Sequence, residues 1–290
     1  MENDKPSTTA YLAAAIRAWH QILDHPLIFE DPLALKIIGK NAEEKMRANS
    51  GKRNPKRMRG LRAMLAVRSR IAEDLLRDAV ARGVRQYVIL GAGLDTFAYR
   101  NPYAVDRLMV YEVDHPATQA WKRKLLAAAG IDCPASMAFV PVDFESDKMA
   151  EQLKKAGVTG AAAVFAWLGV TMYLQPATVM NTLADIARLH APGTTIVFDY
   201  VPDDSALGIM QKMLRRMQQV RYGRLGEPWV GFFNPERLSA ELKKLGYADI
   251  RDLGPAEIGD TYLSNRKDSL KLNRIGLRLF GVGRVMIARL

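Results

Sequence analysis

Five short apolar runs, QYVIL (86–90), RLMVYEV (107–113), MAFVPV (137–142), AAAVFAWL (161–168) and TTIVFDYV (194–201), alternate along the chain with stretches of helical character. Runs that are apolar on both faces belong to strands covered on both sides, and strands joined through helices pair in parallel. The alternation therefore predicts an α/β fold, a parallel sheet with helices wound on both faces. Ile71, Leu75, Leu76, Ala79 and Val80 recur at helical spacing within 68–81, and Gly83 follows where a left-handed cap belongs. Asp114 and Pro116 mark the start of a second helix that stops at Gly130, and another follows Pro176. Near the C-terminus Asn234-Pro235-Glu236 combines a cap, an N1 proline and a first-turn acid. YADIRDL and RVMIARL then read as two closing strands, an antiparallel pair, which brings the sheet to seven.

The loop after the first run is GAGLDTFAYR. In an open α/β sheet, ligands bind at the carboxyl ends of the strands where the winding changes direction, and glycines after the first strand let backbone approach them closely. Gly91, Ala92 and Gly93 fit that turn. An acid that holds ribose hydroxyls belongs about 20 residues on, at the end of the second strand. Asp114, in YEVDHP, lies 21 residues after Gly93. The third glycine of a dinucleotide fingerprint is replaced by Thr96, which argues against a pyrophosphate and makes a nicotinamide dehydrogenase the weakest assignment. S-adenosylmethionine keeps the adenosine without the phosphates. Asp143, closing the third run in VPVDF, is placed to accept from the adenine amine, with Phe144 against the ring. Both acids are equally placed to cap the helices that follow them.

In this order and spacing, ILGAGLDTFAYR, YEVDHP, VPVDF and AWLGVTMYL followed by Pro176 resemble the leucine carboxyl methyltransferase family. This is a family of class I S-adenosylmethionine-dependent methyltransferases with a Rossmann-like fold, and the similarity is to its bacterial, polyketide-tailoring branch. RAWHQILDHPLIFEDPLA and GEPWVGFFNPERL extend the resemblance over nearly the whole chain. It implies that Gly91, Ala92 and Gly93 line the methionine arm, Asp114 holds the ribose, and Asp143 with Phe144 addresses the adenine. It also implies that Arg68 and Arg17 reach the cofactor carboxylate. Without it, Arg68 is a surface cation and Arg17 a partner for Asp24 or Asp31. Two positions depart from the family pattern. Leu168 stands where many relatives have a glutamate, so this segment contacts the cofactor through backbone or the amino group is recognised elsewhere. Phe97 stands where the branch often has arginine.

The net charge of +11 is concentrated: Lys36 to Arg70 holds twelve Lys or Arg against Glu43 and Glu44. The densest part, KRNPKRMRGLR (52–62), contains no aromatic residue for base stacking and reads as a solvated loop, so nucleic acid is not the expected partner. A lone cysteine, Cys133, excludes a disulfide framework. The N-terminal MENDKPSTTAY lacks the pattern of a secretory leader, and no run is long enough to span a bilayer. A cytoplasmic protein without a membrane partner is the expectation.

No catalytic constellation is visible. His20, His25, His115 and His190 are scattered and predict no metal site. Methyl transfer to a carboxylate needs no base; for a phenol, Tyr173, Tyr200 and His20 are the candidates. Residues 201–233 follow the fifth strand, are rich in Met and end in Trp229, Phe232 and Phe233, which reads as a substrate lid. Met210, Met213, Leu214 and Met217 at helical spacing equally fit a helix packed on the body. By resemblance, Arg266 in YLSNRKD pairs with a substrate carboxylate, and an exposed loop arginine is the competing assignment.

The expectation is one methyltransferase domain: an N-terminal helical cap and basic loop (1–67), a cofactor core (68–200), a lid (201–233), and a C-terminal helix with closing strands (234–290). Its activity is O-methylation of a small carboxylic acid, a natural-product intermediate. Trp229, Phe232, Tyr173, Tyr200 and Arg266 form the substrate side. Competing readings are a protein or RNA methyltransferase docking through 52–62, and a non-catalytic cofactor-binding module.

Overall fold

The structure is a computed structural model that describes residues 7–52, 58–104, 107–268, 270 and 283–290. The N-terminal cap contains α1 (Thr8–Leu23), α2 (Ala34–Ile37) and α3 (Lys40–Asn49), followed by the long helix α4 (Arg59–Ala81). The apolar spacing marked only the last two-thirds of α4. Its first turns carry Arg59 and Arg62, which hide the periodicity.

The strands fall where the apolar runs placed them: β1 (Gln86–Leu90), β2 (Met109–Asp114), β3 (Met137–Pro141), β4 (Val164–Trp167) and β5 (Thr195–Tyr200). Between them lie α5 (Pro116–Ala128), α6 (Met149–Lys155) and α7 (Pro176–Leu189). After β5 come α8 (Ile209–Gly223), α9 (Pro235–Lys244), β6 (Asp249–Leu253), α10 (Pro255–Ile258) and β7 (Arg284–Arg289). The sheet order is β3-β2-β1-β4-β5-β7-β6; β7 runs antiparallel to both neighbours, which confirms the closing pair. The winding reverses between β1 and β4, so the carboxyl ends of these two strands flank the crevice.

Alternation along the strands separates two cores. Tyr87, Ile89, Val110, Ala166 and Val197 face α4. Val88, Leu90, Phe165, Trp167, Phe198 and Tyr200 face the opposite way, where α6, α7 and α9 contribute Leu153, Val179, Leu183, Leu238 and Leu242. The cap forms its own cluster, in which Ala14, Ala18, Leu35 and Ile37 enclose Leu94 of the glycine loop and Leu126 of α5. The helix at Pro116 is capped by His115, whose Nδ1 accepts from the Ala117 N–H at 3.2 Å. Asp114 is thereby left free of that duty. At the other predicted start, the Asn234 side chain accepts from the Arg237 N–H at 2.9 Å, as its sequence indicated.

An ion pair on β2 lies wholly inside. Lys122 of α5 donates to Glu112 Oε2 of β2 at 2.7 Å, with both side chains 1% exposed, while Glu112 Oε1 is buried without a hydrogen-bond partner. Burial pushes the Glu112 carboxyl from 4.5 up to about 7, against the pull of Lys122. The folded chain therefore binds more protons than the unfolded chain between these values. Stability from this group is complete below pH 4.5 and is lost as the pH rises towards 7, by on the order of 3 kcal/mol. Urea midpoints measured across this window should fall more steeply for the natural protein than for the Glu112→Gln, Lys122→Met double variant.

Candidate functional site

β1 ends in a turn that only glycine can make as it stands. Gly91 and Gly93 have φ of +66° and +48°. A Cβ on Gly91 would lie 2.2 Å from Val170 Cγ2, and one on Gly93 3.2 Å from Ala10 Cβ of α1. The Gly91 and Ala92 N–H groups donate to Val113 O at 2.8 and 3.0 Å, locking the turn to the end of β2. There Asp114 Oδ2 accepts from the Gly93 N–H and Oδ1 from the His115 N–H. Burial raises the Asp114 carboxyl above its ordinary value, and these two N–H groups oppose the rise. On the next strand the Val142 N–H donates to Asp114 O at 2.9 Å, which brings Asp143 and Phe144 to the same rim. Asp143 Oδ1 accepts from the Glu145 N–H at 3.0 Å, closing a turn; the cap position of α6 is Lys148, not Asp143. Phe144 stacks on Trp167 with centroids 5.8 Å apart.

Both arginines are held, each by a different acid. Arg17 Nε pairs with the buried Asp31 at 2.8 Å, and its Nη2 donates to Leu94 O at 2.6 Å, directly after the glycine turn. Asp31 also accepts from the Thr96 hydroxyl at 2.8 Å. Thr96, whose place a dinucleotide fingerprint gives to glycine, here fastens the turn to the cap. Arg68 is not a surface cation: its Nη1 donates to Asp199 Oδ2 at 2.6 Å. Its guanidinium lies beside Gly169, where a Cβ would meet Nη2 at 2.8 Å. Leu168 packs half-buried against the core on the α4 side. Phe97 is buried edge-on to Tyr87.

Asp199 was absent from the sequence expectations. It was legible as the one charged residue in TTIVFDYV, at the carboxyl end of a strand otherwise apolar or hydroxyl-bearing.

The residues expected on the substrate side come together from the turn after β4 and the segment before α9. The Val230 and Gly231 N–H groups donate to Met172 O at 2.8 and 3.0 Å. Tyr173, Trp229 and Phe232 thus gather round Met172, Val201 and Leu207. Trp229 stacks on Tyr222 of α8, and Tyr173 meets the same ring edge-on. The Glu227 carboxylate accepts from the Thr8 N–H at 2.8 Å and from the Ser7 and Thr9 hydroxyls. This fastens the wall to the start of α1, next to Ala10 over Gly93.

Other expected site residues lie elsewhere. Tyr200 faces the opposite core, fully buried, and its hydroxyl donates to Asp252 at 2.9 Å, so it lines no substrate wall. Arg266 is neither an exposed loop arginine nor free for a substrate. It is 9% exposed and donates to Asp268 and to Pro26 O. His20 is locked as well: Nδ1 meets Asp24 at 2.9 Å, and Nε2 accepts from the Ile28 N–H at 3.1 Å. Its competing structural role is the one it plays. On α8 the methionines neither pack on the body nor face the wall. Ile209, Met210, Met213 and Met217 are between 56% and 91% exposed, while Arg215 and Tyr222 are the buried residues.

Of the basic run 52–62, residues 53–57 lie outside the described residues. Its last member, Arg62, is 2% exposed and donates Nε and Nη2 to Asp24 at 2.9 Å each. Among the described residues no helix is long and apolar enough to cross a membrane.

Comparison with known proteins shows the family and the fold. The sequence profile described as leucine carboxyl methyltransferase matches residues 10–187. YktD of Bacillus subtilis (strain 168), named as an S-adenosyl-L-methionine-dependent methyltransferase, is 30% identical over 292 residues, covering 93% of this chain and 95% of the relative. A protein of Mycobacterium ulcerans (strain Agy99), named for the same activity, is 33% identical over 65% of this chain and 57% of its own length. In fold, the chain is similar to the crystal structure of a protein from Thermobifida fusca YX named as a methyltransferase. The TM-score is 0.57 at 19% identity, with 98% of this chain and 95% of that one covered. From the matched profile and the near-full-length relative, the chain belongs to the leucine carboxyl methyltransferase family and is an S-adenosylmethionine-dependent methyltransferase.

Proposed function

We propose that the enzyme methylates a carboxylate of a small, natural-product-like acid. The observation that carries this reading is that each candidate base is disabled. Burial pushes the Tyr173 hydroxyl up to about 12. Tyr200 is enclosed with Asp252, and both ring nitrogens of His20 are engaged. A carboxylate is ionised at neutral pH and needs no proton removed, whereas a phenol or alcohol does.

The residues present fit S-adenosylmethionine. Gly91 and Gly93 form a turn without side chains, Asp114 lies beside it for the ribose, and Asp143 and Phe144 stand on the adjacent strand end for the adenine. Arg68 and Arg17 supply cations for the carboxylate, and the Leu168-Gly169 segment offers backbone. The cofactor supplies an electrophilic methyl on a sulfonium. What remains for this chain is alignment and exclusion of water. Tyr173, Tyr222, Trp229 and Phe232 form an aromatic wall suited to both.

The test is a panel of carboxylic acids with their matching alcohols and phenols, scored by methyl transfer. Methyl esters are expected, at rates flat with pH above about 6, where the acceptor is fully ionised. Tyr173→Phe should keep kcat within roughly threefold, since removing a working base costs roughly 100-fold or more. Transfer only to hydroxyls, with a rate that rises with pH and collapses in Tyr173→Phe, would sink the proposal.

A further inference from the structure

The geometry points to Asp199 as the residue that sets Arg68 for the cofactor's carboxylate, an inference that rests on the cofactor placement proposed above. The β4–β5 register pairs Trp167 with Phe198, so Asp199 stands level with Leu168 one strand over. Strand alternation puts Val197 on the α4 side and Phe198 and Tyr200 on the other, which turns Asp199 towards α4 and Arg68.

One carboxylate ties three elements together. Oδ1 accepts from the Gly169 N–H after β4, and Oδ2 accepts from Arg68 Nη1 of α4 at 2.6 Å. The Asp199 carbonyl accepts from the Thr171 hydroxyl at 2.6 Å, closing the loop back on β5. Gly169 has φ of +78° and permits the guanidinium to lie against its backbone. The Asp199 side chain is 5% exposed and that of Arg68 14%, so the acid lies beneath and the arginine is the more open end of the pair. A guanidinium recognises a carboxylate through a planar fork, and a loose arginine loses rotamer freedom when it does so. With Nη1 anchored on Asp199, the fork is oriented before the ligand arrives. Asp199 is a positioning residue that acts through Arg68.

The experiment is calorimetry with two ligands, S-adenosylmethionine and its decarboxylated analogue, which keeps the sulfonium and the amine. Asp199→Asn is expected to weaken S-adenosylmethionine roughly tenfold and to leave the analogue within roughly twofold of its natural affinity. In an Arg68→Ala background the same change should add little, because the contact it serves is gone. Arg68→Lys, which keeps charge and loses the fork, should show the same selective loss, and it decides the matter if Asp199→Asn does not fold. Equal losses for both ligands would overturn the inference and assign Asp199 to the amine or to the turn at large; so would unchanged S-adenosylmethionine binding. A natural protein that binds the analogue as tightly as S-adenosylmethionine would instead refute the placement of Arg68 at the carboxylate. Failure of the natural protein to bind S-adenosylmethionine would refute the cofactor site as a whole.

Discussion

Asp114→Ala is expected to weaken S-adenosylmethionine binding by roughly 100-fold. On the proposed placement the carboxylate accepts from the ribose hydroxyls, and a hydrogen bond to a charged group contributes about 1.5–3 kcal/mol, with tenfold in affinity for each 1.4 kcal/mol. The position also has a local duty. Asp114 Oδ2 accepts from the Gly93 N–H, so its removal loosens the turn as well as the ligand contact. Asp143→Ala should cost less, roughly tenfold, because the backbone turn at 143–147 keeps its own hydrogen bonds from Ser146 and Asp147 to the Asp143 carbonyl. Calorimetry on the two variants, with melting curves to confirm folding, checks both. An Asp114→Ala protein that binds within roughly threefold of the natural one would remove Asp114 from the site.

Arg62→Ala should be the most destabilising change in the N-terminal region. Arg62 and His20 both meet Asp24 inside the protein, and none of the three side chains is more than 2% exposed. Burial alone would raise the Asp24 carboxyl; the hydrogen bonds and charges of His20 and Arg62 outweigh it and hold the group below its ordinary value. Removing the arginine leaves a buried carboxylate short of its charge partner, at a cost of about 3–5 kcal/mol and a fall in Tm on the order of 10 °C. Arg47→Ala breaks a pair whose arginine is 60% exposed and should shift stability by less than about 0.5 kcal/mol. A Tm for Arg62→Ala indistinguishable from that of Arg47→Ala would refute the account. Since Asp24 is depressed, its stabilisation is present above the unfolded value and is lost as the pH falls through the folded one. Acid should therefore narrow the gap between Arg62→Ala and the natural protein.

The arginine also bears on the basic run. Chain composition makes residues 52–62 one cationic patch, yet at least Arg62 is committed to the core. Charge counted along a sequence overstates what a surface offers to an acidic partner.

The same limit recurs on α8. Helical spacing reveals a stripe of Met210, Met213, Leu214 and Met217, and from spacing alone such a stripe packs inward. The helix instead turns Arg215 inward, because its guanidinium has Asp204, Pro202 O and the Phe232 ring to meet. Periodicity states which residues share a face; it does not state which face has partners waiting.

What the sequence by itself determined is the local and the near-local. Five apolar runs, most of them followed by a helix, commit the chain to a parallel sheet. The positive φ of Gly91 and Gly93 needs glycine, and the acid 21 residues later falls at the next strand end because the connection from β1 to β2, a loop with one short 3-10 turn (Phe97–Arg100), spans that distance. What only the tertiary structure decided is pairing across distance. Arg68 finds Asp199 131 residues away and Arg17 finds Asp31, while Arg266 turns to Asp268 and Pro26 O instead of a substrate. Tyr200 faces Asp252 because strand parity, set by the register with β7, turns it from the wall. Backbone conformation and apolar periodicity are written over a few residues. The partner of a buried charge depends on which strands become neighbours, and that is settled only when the sheet closes.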